Sequence, residues 1–93
     1  MGIALQGQVY SKTEATASDA ARRFETSEKF LTYAYISVTT HTLLFGDSSN
    51  QYYSRAAGES FVLENVDIST LYFKNAGAGS NGVASIVGIL ATY

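Results

Sequence analysis

The sequence predicts an all-β chain: a small antiparallel β-sandwich, jelly-roll or immunoglobulin-like, with an extended N-terminal arm. Three observations lead there. From Leu43 to Phe73, short runs rich in Leu, Phe, Tyr and Val are cut by Gly46-Asp47-Ser48-Ser49-Asn50, by Ala56-Ala57-Gly58-Glu59 and by Asp67-Ile68-Ser69. That is the punctuation of short antiparallel strands, and no helix-period segment interrupts it. The chain of 93 residues is sized for one domain. Setting aside a polar stretch at its start divides it into an arm, residues 1–27, and a sandwich domain, residues 28–93.

Taken in order, Met1 to Tyr10 alternates, with Ile3, Leu5 and Val9 on one face and Ala4, Gln6, Gln8 and Tyr10 on the other, the period of a half-buried strand. Ser11 to Ser27 shifts to Ala, Ser, Thr and scattered charge, with little apolar surface beyond Phe24. A short helix capped by Ser18 fits the composition. An extended arm fits better, because so short a helix has no second apolar face to bury. Phe30 to Val38 reads as a strand with Phe30, Ala34, Ile36 and Val38 on one side and Leu31, Tyr33, Tyr35 and Ser37 on the other. Tyrosine on the second side suits a sandwich whose outer face meets a neighbour.

Thr39-Thr40-His41-Thr42 is a turn or a continuation, Leu43 to Phe45 a strand, and Gly46 to Asn50 a reversal built from residues that bond their own backbone or accept positive φ. Gln51 to Arg55 and Ser60 to Val66 are strands, with Phe61 and Leu63 opposed to Val62 and Glu64. Asp67 to Thr70 is a tight corner where Asp67 or Ser69 caps exposed amides while Ile68 drops into the core. Leu71 to Asn75 is a strand, Gly77 to Gly82 a loop tip, and Val83 to Thr92 a central strand with apolar residues on both faces. The count comes to six to eight strands.

Composition narrows the function classes. Tyr and Phe number 7 and 5 while Cys, Pro and Trp are absent, so thiolate metal sites and cysteine nucleophiles are out. The formal charge is −2, and the only adjacent basic pair is Arg22-Arg23, which lacks the clustering that phosphate-backbone binding needs; no nucleic acid partner is expected. The opening residues lack a basic leader, and the apolar run Val83 to Tyr93 is too short to span a bilayer. A soluble chain made in a cytoplasm, with no membrane partner, is the expectation.

His41, Asp47 and Ser48 or Ser49 supply the residue types of a hydrolase triad, but nothing resembles the Gly-x-Ser-x-Gly nucleophile turn. Asp47, Glu59, Glu64 and Asp67 lack calcium-loop spacing. Gly82 is followed by Val83 rather than by the Lys and Ser/Thr of a phosphate loop. No enzyme, metal or cofactor is expected. The exposed-type aromatics instead suggest association, since tyrosine gives interface area at little entropy cost.

The Gly-Asp-Ser turn at residues 46–48, Ala57-Gly58-Glu59-Ser60 leading into Phe61-Val62-Leu63, and Val66-Asp67-Ile68-Ser69-Thr70-Leu71-Tyr72-Phe73 together resemble a module of small bacteriophage virion proteins. The resemblance covers roughly residues 30 to 93. It implies a non-enzymatic β-sandwich subunit, assembled in the host cytoplasm, that decorates or cements a capsid within the virion through contacts of the sandwich and of the N-terminal arm. The apolar strand of that arm can lie along a neighbour's exposed sheet edge. Its partners would be the major capsid protein or other virion subunits, and it would be a homo-oligomer, a trimer if it sits on three-fold sites. The expected assembly residues are Ile3, Leu5, Val9, Tyr10, Phe24, Tyr33, Tyr35, Tyr52 and Tyr53. The alternative is a receptor- or glycan-binding module of a tail fibre or spike, using Tyr52, Tyr53 and the loop Gly77 to Gly82.

Overall fold

The computed structural model describes residues 8–16, 20–77, 79 and 81–91. Seven strands and one 3-10 turn follow in order: β1 (Val9–Ala15), β2 (Phe30–Thr40), β3 (Leu43–Gly46), β4 (Gln51–Arg55), β5 (Ser60–Asp67), the turn Ile68–Thr70, β6 (Tyr72–Asn75) and β7 (Val83–Leu90). All pairings are antiparallel. A front sheet has the order β1-β7-β2-β5 and a back sheet the order β4-β3-β6. Beyond β6 the back sheet gains one more rung, where Arg22 and Phe73 exchange both backbone hydrogen bonds at 2.7 and 2.9 Å.

That rung decides the topology. The chain passes from the front sheet (β1) to the back (Arg22), front (β2), back (the β3–β4 hairpin), front (β5), back (β6) and front (β7). This is the winding of an eight-strand jelly roll whose second strand is reduced to a single residue pair, not that of an immunoglobulin domain.

The predicted division at residue 28 therefore fails for the residues described. Val9 to Ala15 pairs rung by rung with Ile89 to Val83 in its own front sheet, and Phe24, expected on an arm, is 1% exposed at the centre of the core. Residues 1–7, including Ile3 and Leu5, lie outside the described residues. The sequence hid β1 because its inward residues are Tyr10, Lys12 and Glu14, so the strand carries no apolar alternation to read.

Between the sheets the ring of Phe73 lies 4.9 Å from that of Phe24 and 5.5 Å from that of Phe45, and Phe45 meets Phe61 edge-on at 4.9 Å. Leu31, Ile36, Val38, Leu43, Ile68 and Ile86 fill in around them. The phase expected for β2 holds from Ala34 to Val38 but inverts before it: Leu31 is buried and Phe30 faces out. Thr32 is an extra residue against β7, between the rungs Leu31–Leu90 and Tyr33–Ile89. Across β2, Asn65 of β5 takes φ 51 and matches Thr32 with a second extra residue, so the β2–β5 register is unbroken. Paired bulges turn both strands over together, and asparagine tolerates the left-handed backbone that this requires.

The turns follow the chemistry of their residues. One carboxylate oxygen of Asp47 accepts the amides of Ser49 (2.9 Å) and Asn50 (2.7 Å), and Gly46 is required because a Cβ there would lie 1.9 Å from the Asn50 carbonyl oxygen. At the corner, Asp67 accepts from the Lys29 amide (3.1 Å), the Ser69 amide (3.0 Å) and the Ser69 hydroxyl (2.8 Å), while Ile68 is fully buried. The Lys29 amide first, then the Ser69 hydroxyl, hold the Asp67 carboxyl below the ordinary aspartate range. A carboxyl whose folded pKa is depressed stabilises the fold above its unfolded value, about 3.9, and loses that contribution as pH falls through the folded value. The melting temperature should therefore drop as pH is lowered below about 4, and Asp67→Asn should flatten part of that drop in calorimetric scans.

A buried polar staple fastens β1. The Thr16 hydroxyl donates to Asn75 Oδ1 and accepts the Gly82 amide at 2.8 Å, while the Thr16 amide donates to the Gly82 carbonyl at 2.9 Å. Gly82 must lack a side chain here, since a Cβ would sit 2.6 Å from Leu43 Cδ2 and 2.9 Å from the Thr40 carbonyl oxygen.

Candidate functional site

The outward residues of the front sheet form rungs across all four strands. One rung reads Val9, Ile89, Tyr33, Glu64 and the next Ser11, Val87, Tyr35, Val62. Antiparallel partners share a face, so six apolar or aromatic side chains lie together there. Their exposure is substantial: Val9 70%, Val87 50%, Val62 45%, Tyr35 42% and Tyr33 39%. With strands about 4.8 Å apart and like-facing residues about 7 Å apart, they span on the order of 300 Å². A patch of that size is comparable to the largest apolar patch of an ordinary monomer, which is often functional, whereas scattered single residues are normal.

The expected interface residues divide on this geometry. Val9, Tyr33 and Tyr35 come together on the front face. Tyr10 and Phe24 do not join them. Phe24 is core, and Tyr10 points inward, packed against the core with its hydroxyl donating to Glu25 at 2.6 Å. Burial first, then that bond, push the Tyr10 phenol above its ordinary range, and the same bond leads in lowering Glu25.

Tyr52, 80% exposed, lies on β4 at the edge of the back sheet. Tyr53 turns toward the gap between the sheets, edge-on to Phe61 at 5.3 Å, with the Arg55 guanidinium 4.0 Å over its ring. Paired tyrosines thus build no common platform, and the residue level with Asn75 on β4 is Arg55, not Tyr52. Sequence reasoning missed Val62, Val87 and Ile89 as surface residues; the available signal was that each alternates with an inward neighbour on a strand already assigned.

The two flanks of the sandwich differ. Beside β1, the Lys12 ammonium donates to the Phe24 carbonyl (2.8 Å) and pairs with Glu14 (3.5 Å) and Glu25 (3.6 Å), and Arg22 pairs with Glu14 (3.6 Å). These side chains are partly exposed, so the pairs orient the segment more than they stabilise it. Beside β4 and β5 lies instead a cleft of about 230 Å³ lined by Phe45, Tyr53, Phe61, Val62, Leu63 and Leu71.

A polar cleft of about 310 Å³ opens on the back sheet among Arg23, Asp47, Ser48, Ser69, Thr70 and Tyr72. Arg23 stacks 4.9 Å from the Tyr72 ring centre and reaches the Ser69 carbonyl at 3.4 Å. The amides of Asn50 and Ser49, in that order, hold Asp47 below the ordinary carboxylate range.

His41 sits in the β2–β3 turn at φ 57 and Asp47 in the turn at the far end of β3, so the residue types of a triad are not assembled. Among the described residues no group of three His, Asp or Glu converges, and no helix is long and apolar enough to cross a membrane.

No family model and no curated protein matches this chain. Two solved chains match. One comes from a structure described as "Bacillus endospore appendages form a novel family of disulfide-linked pili", with 17% identity over 98% of each chain and a TM-score of 0.44. A likeness at that level says nothing of function.

Proposed function

We propose that this chain is a non-enzymatic structural subunit of a phage particle, one that decorates or cements the capsid by docking the outer face of its front sheet. The observation that carries the reading is the neutral, tyrosine-bearing patch around Val87. A face on the order of 300 Å² is too small to hold one partner firmly, since stable interfaces bury about 800 Å² per partner. Repeated over many copies on a lattice, such weak contacts act together through effective concentration. That is how a decorating subunit resists release. Its partners would be the major capsid protein and sister copies, arranged as trimers at three-fold sites.

Immunogold labelling of particles from lysates of the source culture tests this. Even label on heads supports it; particles without label remove it. Val87→Asp provides the residue-level check. The side chain points outward on a central strand, so folding should change by no more than about 1 kcal/mol. Binding to heads should fall at least about tenfold, equivalent to about 1.4 kcal/mol, as read by co-sedimentation.

A second reading, a receptor- or glycan-binding module of a fibre or spike, draws on the polar cleft. Tyr72 offers an apolar ring, Arg23 donors, and Asp47, Ser69 and Thr70 acceptors, a mixture suited to saccharide hydroxyls. Label confined to tail tips, with saccharide binding lost in Tyr72→Ala, would favour it over capsid docking.

A further inference from the structure

We infer that the cleft between β4 and β5 is filled by the Ile3–Leu5 segment of a second copy of this chain, laid along the free edge of β5. The inference rests on the assembly reading above but not on the capsid as partner. Charged groups and the segment around Phe24 close the β1 flank, whereas the opposite flank exposes the cleft lined by Phe45, Phe61 and Leu63. Among the described residues β5 pairs only with β2, and β4 only with β3, so both strands bordering the cleft present a row of backbone donors and acceptors outward. An unpaired edge beside an apolar cleft is the receptor for an extended segment with apolar residues at alternate positions: the backbone adds hydrogen bonds and the alternate side chains enter the cleft. Met1-Gly2-Ile3-Ala4-Leu5-Gln6-Gly7 has that pattern, with Ile3 and Leu5 two residues apart.

Reach selects the donor. Gln8 is fixed at the start of β1 by a 2.9 Å bond from the Leu90 amide to its carbonyl. β1 and β5 are the opposite edges of the front sheet, about 14 Å apart at three strand spacings. An extended chain covers only about 10 Å between Gln8 and Leu5, so a chain's own Leu5 falls short of its own cleft. A neighbour's does not face that limit. Because β1, to which the donated segment is joined, and the receiving cleft lie on different flanks, the contact is head-to-tail, and it either closes into a ring or continues. Closure at three copies would produce the trimer proposed above.

The absence of cysteine makes this directly testable in the full chain. Leu5→Cys and Val62→Cys, the latter at the lip of the cleft, are purified separately, mixed and oxidised. The disulfide-linked heterodimer should form about tenfold faster than in a mixture of Leu5→Cys with Lys74→Cys, which places the second thiol on the outer face of the back sheet, because docking raises effective concentration only at the cleft. Equal rates, or no cross-link in either mixture, overturn the inference, as does a Leu5→Cys/Val62→Cys chain that closes on itself as a monomer. Ile3→Asp/Leu5→Asp should lower the weight-average mass in sedimentation while leaving the circular dichroism spectrum of the folded chain unchanged; an unchanged mass overturns the exchange. Heads still decorated by that variant would leave the capsid reading standing alone.

Discussion

Phe73→Ala should lower the stability of the fold by about 3–5 kcal/mol. Phe73 is fully buried, lies on β6, and is the ring that Phe24 and Phe45 both contact, at 4.9 and 5.5 Å. It also carries the backbone rung to Arg22 that stands in for a whole strand. Truncating a buried phenylalanine costs about 3–5 kcal/mol, from lost transfer energy plus the cavity left behind. A domain of this size holds a total of about 5–14 kcal/mol, so the substitution removes a substantial part of it. Urea denaturation should show the midpoint collapsing with little change in slope. A loss below about 1 kcal/mol would mean that the aromatic cluster is not the centre of this core.

Thr16→Val should cost about 1–3 kcal/mol, although the shape of the side chain hardly changes. Its hydroxyl is buried between Asn75 and Gly82. Valine leaves those buried groups with fewer partners. Since the staple fixes the end of β1, the amides that pair β1 with β7 should exchange with solvent sooner than those of β2, a difference that hydrogen exchange resolves. A double-mutant cycle with Asn75→Ala should return a coupling of about 0.5–3 kcal/mol; additive losses would show that the two side chains act independently.

Strands β3 to β7 were legible because their chemistry is local. Apolar alternation, the Asp47 turn and the Asp67 corner each declare themselves within a few residues, and the structure places all of them as expected. β1 and the Arg22 rung were not legible, since what holds them is remote: the partners of β1 lie on β7, at the other end of the chain, and its inward side chains are polar, Lys12 and Glu14 ion-paired and Tyr10 hydrogen-bonded to Glu25. The bulge at Thr32 escaped for a related reason. An extra residue leaves no mark in a period-2 pattern when Phe30 and Leu31 are both apolar; only the matching asparagine at position 65 hinted that two strands would turn over together. The front face was half read. Tyr33 and Tyr35 drew attention as tyrosines, whereas Val62 and Val87 looked like core until register set them beside those rings.

Pairing of the first strand with the last has a consequence during synthesis. Val9 leaves the ribosome about 80 residues before Ile89, the partner it will lie against. At about 5–20 residues per second that is a delay of about 4–16 s. Throughout it, β1 of the nascent chain has no β7 to pair with.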